Sequence, residues 1–229
     1  YGVDNMHEGD VIISNHAGTL GQHLNNVVMY TPVFAGPDRD ELFGFMCVLV
    51  HWIDIGGSSV GSCSASDATE IFQEGIQYRT VKLWQRGVRN DELYRIVEYN
   101  TRFPTMVLGD LEAQLAGTLA GRDKVLTMTD RYGLDTMRAA VAAIWDQSEA
   151  VARAAIRALP DGVWRAESFL DDDGVDGGAT VPVVIEVRID GDRMTIDFSG
   201  LGGELKGPLN SGVFGGAYPA ARIAFKILT

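Results

Sequence analysis

With 229 residues, 46% hydrophobic and 22% charged, the chain is long enough to bury a substantial core and has the make-up of a globular protein, which excludes a disordered tail. Nineteen basic against thirty-one acidic residues give a net charge of −12 spread along the sequence, without the clustered Lys and Arg that nucleic acids and anionic membranes require. Two cysteines, no secretory signal and no apolar run near the roughly eighteen residues of a membrane helix predict a soluble cytoplasmic protein with free thiols.

In chain order, short β-rich runs come first: DVIIS, NVVMYTPVF and ELFGFMCVLVHWI, separated by Gly, Pro and Asp loops. They predict a strand bundle whose third strand is strongly buried, with Cys47 in the core. From about Ser66 the pattern turns helical. Asp67 and Glu70 have the spacing of a capping box, and Leu108, Leu111, Leu115 and Leu119 recur on one helix face. DTMRAAVAAIWDQSEAVARAAIRAL extends the helical stretch to the stop signal PDG. β Structure returns at Val163, and VPVVIEVRIDGDRMTIDFSG predicts a hairpin turning at Asp190 and Gly191, with Val187 opposite Met194, Ile185 opposite Ile196 and Val183 opposite Phe198. The fold class is therefore α+β in one region, 1–229: a β-rich part (1–65), a helical part (66–160), and a β-hairpin part that runs into a new helix (161–229). The first strand starts after ten residues and the last helical pattern, AYPAARIAFKILT, is uncapped, so the reading is an internal fragment of a longer subunit, truncated at both ends.

Histidine is the scarcest informative residue type. His7, His16, His23 and His51 all lie in the first quarter of the chain. If the strands pair in sequence order, the loop NHAGTLGQHLNN brings His16 and His23 toward His51 at the end of the third strand, and Asp54 follows three residues later. Two or three imidazoles with a carboxylate suit a divalent ion such as zinc or manganese. Solvated loop histidines are the competing reading, because this spacing is looser than a two-His helical motif. Other stretches carry less. DIGGSSVGS matches neither phosphate-binding fingerprint and reads as an ordered turn. LDDDGVDGG lacks the spacing of a calcium loop and reads as solvated. Cys63 sits on a loop without a partnered histidine, so no nucleophile is assigned.

These residues also resemble a known family. GDVIISN, the His-x-x-Asn of QHLNN, TPVF, HWIDIGG, GSCSASDATEIFQEG, VKLWQRG, VLGDLEAQLA, RYGLDT, ALPDG, DDDGV and GPLNSGV follow, in order, segments of the hydantoinase B/oxoprolinase family. The resemblance implies a catalytic B-type subunit that acts with a hydantoinase A-type partner in a hetero-oligomer. The partner uses ATP to phosphorylate a small-molecule substrate. The B-type subunit then hydrolyses the activated cyclic amide, as in hydantoinases and 5-oxoprolinases, or carboxylates an activated ketone, as in acetone and acetophenone carboxylases. In those carboxylases a divalent metal is held by a His, an Asp three residues later, and a second His that sits three residues before an Asp. His23 and His51 match the two histidines. Asn26 stands where the acid is expected, and His16 replaces the Asp of a Ser-Asn-Asp-Pro segment. The resemblance therefore leaves three readings: cyclic-amide hydrolase, ketone carboxylase, or a non-catalytic structural copy that has lost its acid ligands.

Overall fold

β-Branched and aromatic runs open the chain, and each pairs with its sequence neighbour: β1 (Val11–Ser14), β2 (Asn26–Ala35) and β3 (Glu41–His51) form antiparallel ladders. The structure, a computed structural model, describes residues 1–20, 23–61, 68–210, 212 and 214–229. Cys63 and Asp67, and with Asp67 the expected capping box to Glu70, lie outside the described residues. Helices and antiparallel sheets make up the fold, which is of the α+β class as predicted. The chain divides into two compact units, Tyr1–Ala65 with Glu70–Ala139, and Ser66–Thr69 with Ala140–Thr229.

The helical pattern expected from residue 66 begins only at α2 (Asp91–Tyr99). Before it, VKLWQRGVR forms a hairpin of β4 (Val81–Gln85) and β5 (Val88–Arg89), and β4 pairs with β1. Its two-residue turn is Arg86–Gly87, with φ of 51° and 80°. Two positive φ values make a turn of the hairpin type, but Arg is not a residue that announces one. The five-stranded sheet therefore runs β3-β2-β1-β4-β5.

This order corrects the burial expected of the third strand. β1, in the centre, has all four residues buried, whereas β3 is an edge strand whose side chains alternate between half-buried and exposed. Cys47 is accordingly exposed and not part of the core. An apolar run of eleven residues reads as buried on both faces, but an edge strand covered on one face shows the alternation instead.

Two helices cover the sheet. Asn90 caps α2 by accepting the Leu93 N–H at 3.2 Å, and Pro104 opens α3 (Pro104–Tyr132). The leucine face predicted on α3 is the buried one. Leu111 and Leu115 join Val11, Ile13, Val27, Met29, Trp52, Leu83, Leu93 and Val97 in the core, with Leu108 and Leu119 packed at its margin. Within this apolar contact Gln114 is buried and saturated. Its Nε2 donates to Val27 O (2.9 Å) and Val48 O (2.8 Å), and its Oε1 accepts from Trp52 Nε1 (3.1 Å). One side chain of α3 thus ties together β2, β3 and the residue that follows β3.

The second unit holds β6 (Gly162–Leu170), β7 (Val181–Asp190) and β8 (Arg193–Asp197) in one antiparallel sheet, with α5 (Ala217–Leu228) near its end. The long Ala-rich helix α4 (Leu134–Arg157) contains the boundary between the units. The β7–β8 hairpin forms, but in a different register from the one predicted. Val187 pairs with Ile196, Ile189 with Met194 and Asp190 with Arg193, so the loop is Gly191–Asp192. Gly191 has φ of 58°, and a two-residue hairpin places its positive φ at the first loop position. The shift in pairing is even, so the apolar residues keep a common face. LDDDGVDGG is mostly exposed, as expected, except for Asp173. That carboxylate is buried and accepts the Val175 and Asp176 N–H groups at 2.9 and 2.7 Å.

Asp10 is the buried charge on which the first unit turns. It is fully buried and accepts from Lys82 Nζ (2.7 Å), Arg86 N (2.8 Å) and His7 N (2.9 Å). Burial opposes ionisation, but the Lys82 bond, the two N–H groups and the Lys82 charge outweigh it and hold the carboxyl below its ordinary value of 3.8. Because the folded value lies below the unfolded one, the stabilisation is present above that range and is lost as pH falls through the folded value. Lys82→Met leaves the carboxylate buried without a counter-charge. We expect urea denaturation at neutral pH to show a loss of about 3–5 kcal/mol, shrinking under acid conditions that protonate Asp10 in both proteins.

Candidate functional site

The two histidines singled out by the sequence do meet. Asn26 opens β2 and lies opposite His51, the last residue of β3. His23, three residues before Asn26, turns its ring onto that strand end, with the His23 and His51 ring centroids 4.8 Å apart and their planes at 41°. His23 is half-buried and His51 exposed, so the pair sits at the surface edge of the sheet. The Asn26 side chain hydrogen-bonds the His23 ring.

The other two expected ligands lie elsewhere. His16 directly precedes the short helix α1 (Ala17–Leu20), and its Nδ1 is 3.2 Å from Thr19 Oγ1 of that helix. Asp54 is fully buried and committed to the connection between α2 and α3. Its Oδ1 accepts from Arg102 Nη1 (2.8 Å), and its Oδ2 accepts from Arg102 N (2.5 Å) and Thr101 Oγ1 (3.0 Å). Among the described residues, no group of three or more His, Cys, Asp and Glu side chains is placed to hold a metal ion.

Spacing gave no hint of what holds the histidine loop. Leu24, next to His23, is fully buried, and its backbone is held at both ends by side chains from distant segments. Its N–H donates to Glu74 Oε2 at 2.9 Å, and its carbonyl accepts from Asn15 Nδ2 at 2.8 Å. Asn15 is itself buried and fully used, since Nδ2 also donates to Ile76 O (2.9 Å) and Oδ1 accepts from Tyr78 N (2.6 Å). Asn25 follows the same logic. Its Nδ2 donates to Trp52 O (2.7 Å), and its own carbonyl accepts from Trp52 N (2.8 Å). Anchors on Leu24 and Asn25 leave the His23 side chain little freedom to move relative to His51.

The DIGG turn and the FQEG stretch form one assembly behind this loop. Arg102 Nη2 donates to Gly57 O (2.6 Å), Ser58 N to Gln73 O (2.7 Å) and Ile76 N to Ile55 O (3.0 Å). Gly57 and Gly75 have φ of 75° and 132°, and a Cβ on either would collide with the facing backbone, that of Gln73 and Glu74 for Gly57 and that of Ile55 for Gly75. Glycine at both positions therefore lets two backbones touch, and the contact seats Glu74 against Leu24. Glu74 was legible in the sequence only as the acid before Gly75, in the stretch where the capping box drew attention.

The electrostatics favour a neutral His23. Burial lowers its pKa below the ordinary 6.5 and the charge of His51 lowers it further, while Glu74 and the Asn26 hydrogen bond act in the opposite direction. A neutral imidazole carries one ring N–H and one nitrogen lone pair, and it is in this form that histidine ligates a metal. Since the folded chain binds this proton more weakly than the unfolded chain, stability falls as pH drops through the range below 6.5 and recovers above it. In an NMR titration of metal-free protein, we expect the His23 ring to titrate below 6.5 and to move upward in His51→Ala. A value at or above 6.5 in the wild type would contradict this electrostatic balance.

Comparison with known proteins agrees with the motifs. The family model described as Hydantoinase B/oxoprolinase matches residues 1–229. The chain is 36% identical over 200 residues to a protein from Pseudomonas sp. (strain NS671) named as the B-type subunit of a D-/L-hydantoinase, covering 86% of this chain and 33% of that protein. It is 28% identical over 222 residues to the acetophenone carboxylase delta subunit of Aromatoleum aromaticum, covering 96% of this chain and 31% of that one. The crystal structure of the ATP-dependent caprolactamase from Pseudomonas jessenii superimposes with a TM-score of 0.75 at 32% identity, over 84% of this chain and 32% of that chain. The chain thus spans about a third of the length of these relatives, and no helix among its described residues is long and apolar enough to cross a membrane. Matched by the family model from end to end, the chain belongs to the hydantoinase B/oxoprolinase family.

Proposed function

We propose that this chain is the metal-loop portion of a B-type subunit in an ATP-dependent cyclic-amide hydrolase, with a divalent zinc or manganese ion held by His23 and His51. The observation that carries the reading is the meeting of the two imidazoles, 4.8 Å apart, on a loop anchored by Asn15 and Glu74. Greater identity to the hydantoinase subunit and the caprolactamase than to the acetophenone carboxylase subunit favours hydrolysis. The donor set fits an ion in chemistry: two imidazoles suit zinc or manganese and leave positions for water and substrate oxygens. Asn26 bonds the His23 ring and so orients a ligand, in the way outer-shell partners do. Asp54 serves as the structural anchor of the neighbouring turn, and His16 bonds Thr19 of α1.

A bound ion would polarise the reacting oxygens and lower the pKa of a coordinated water. The chain's own residues contribute placement and protonation state. His23 stays neutral near neutral pH because burial and His51 disfavour its cation. The ring pair is open to solvent at the sheet edge, where a substrate activated by phosphorylation on an A-type partner would be delivered. In this reading the partner spends ATP on a leaving group, and the B-type subunit attacks the activated carbon; the working protein is a hetero-oligomer in the cytoplasm.

Two measurements test the proposal. Purified protein dialysed against zinc or manganese should retain about one ion per chain. His23→Ala should weaken binding by more than the roughly 10–100-fold typical of losing an outer-shell partner. A wild-type chain that retains no metal would point to a structural copy. Reconstitution of the whole subunit with its A-type partner and ATP should then turn over hydantoins, 5-oxoproline or lactams, and turnover of ketones with bicarbonate instead would replace hydrolysis by carboxylation.

A further inference from the structure

Glu74 occupies a position that neither the motifs nor the expected ligand set explains. It follows a 3₁₀ turn, Ile71–Gln73, that Glu70 caps, and its backbone is pinned by the close approach of Gly57 and by the Ser58–Gln73 and Ile76–Ile55 hydrogen bonds. From this fixed base the side chain reaches back across fifty residues of sequence to the Leu24 N–H at 2.9 Å. Leu24 is the immediate neighbour of His23, and the Glu74 charge acts on the His23 ring. The position where relatives in the resemblance carry an acid is here Asn26, which bonds the same ring without bringing a charge. Two imidazoles and an amide leave a divalent ion uncompensated, and a carboxylate just outside the ligand shell stabilises such an ion electrostatically and holds its ligands in orientation.

We propose that Glu74 is the positioning carboxylate of the His23–His51 centre, fixing the ligand loop through the Leu24 N–H and supplying the negative charge that Asn26 does not. The assignment rests on the metal reading above and adds to it a residue that binds no metal itself. It gives the FQEG stretch a functional reason. The turn and its glycines exist to deliver one carboxylate, from behind, to the loop that carries His23.

The test separates charge from tether. Glu74→Gln keeps an oxygen for the Leu24 N–H and removes the charge; Glu74→Ala removes both. Zinc and manganese affinities are measured by calorimetry on the full chain, and the Leu24 amide is followed by hydrogen exchange in the metal-free protein. Glu74→Gln should weaken metal binding by about 10–100-fold while Leu24 stays protected. Glu74→Ala should lose both affinity and protection. Glu74→Asp, which keeps the charge and loses reach, should bind more tightly than Glu74→Gln. Glu98→Gln, at an exposed position of α2, controls for net charge and should bind like the wild type. Wild-type affinity in Glu74→Gln overturns the inference and leaves the metal reading intact. Affinity lost in Glu74→Gln together with Leu24 protection overturns the charge assignment. If the wild type binds neither ion, or binds as well after His23→Ala, the metal reading fails and the inference falls with it.

Discussion

The buried amide of Asn15 is the constraint around which the first unit is arranged. It sits just past the central strand and satisfies three backbone groups that would otherwise be orphaned: the carbonyls of Leu24 and Ile76 and the N–H of Tyr78. These belong to the histidine loop and to the segment after FQEG, which are far apart in sequence. A buried backbone polar group left without a partner costs on the order of 1–3 kcal/mol, so the two segments are held to the end of β1 and therefore to each other. Apolar burial alone would tolerate sliding between them, and directional bonds to one side chain do not.

The same device recurs at each junction of the site. Gln114 joins α3 to β2, β3 and Trp52, Asn25 joins the loop to Trp52, and Asp54 with Arg102 joins the connection between α2 and α3 to the DIGG turn. Each places a polar side chain against packed structure and bonds it there, although the Asn25 Oδ1 is buried without a partner among the described residues. Such networks cost desolvation and return specificity, since partners displaced by an ångström leave buried groups unsatisfied. The apolar sheet supplies the stability of this unit; its polar junctions supply the accuracy with which His23 faces His51.

The sequence was readable wherever one periodicity governed. The short β-rich runs gave β1, β2 and β3, and the leucine spacing gave the buried face of α3. The even shift in the β7–β8 hairpin kept the predicted faces while missing the partners. It was unreadable where tertiary position decided. Nothing in FMCVLV says that the strand lies at an edge, so Cys47 passed for core. The β4–β5 turn is built on Arg86, and that hairpin was hidden inside a stretch read as helical. Of the candidate site, His23 and His51 could be named from motif and spacing. Asp54, in the same motif, proved to be an anchor for Arg102, and Glu74 went unnoticed because its role depends on two glycines that let separate backbones touch.

One irregularity of the β2–β3 ladder reaches as far as the site. Val33 pairs with Gly44 but Phe34 pairs with Leu42, so Phe43 is an extra residue near the hairpin end of the strand. Side chains alternate along a strand, and one inserted residue therefore inverts the parity of everything beyond it. Counted back from the hairpin without the bulge, Asn26 would stand opposite Val50, and the imidazole of His51 would belong to the other face of the sheet. Phe43, far from both histidines, thus works as a phase-setter: one surplus residue at the distant end of an edge strand decides on which side of the sheet His51 emerges.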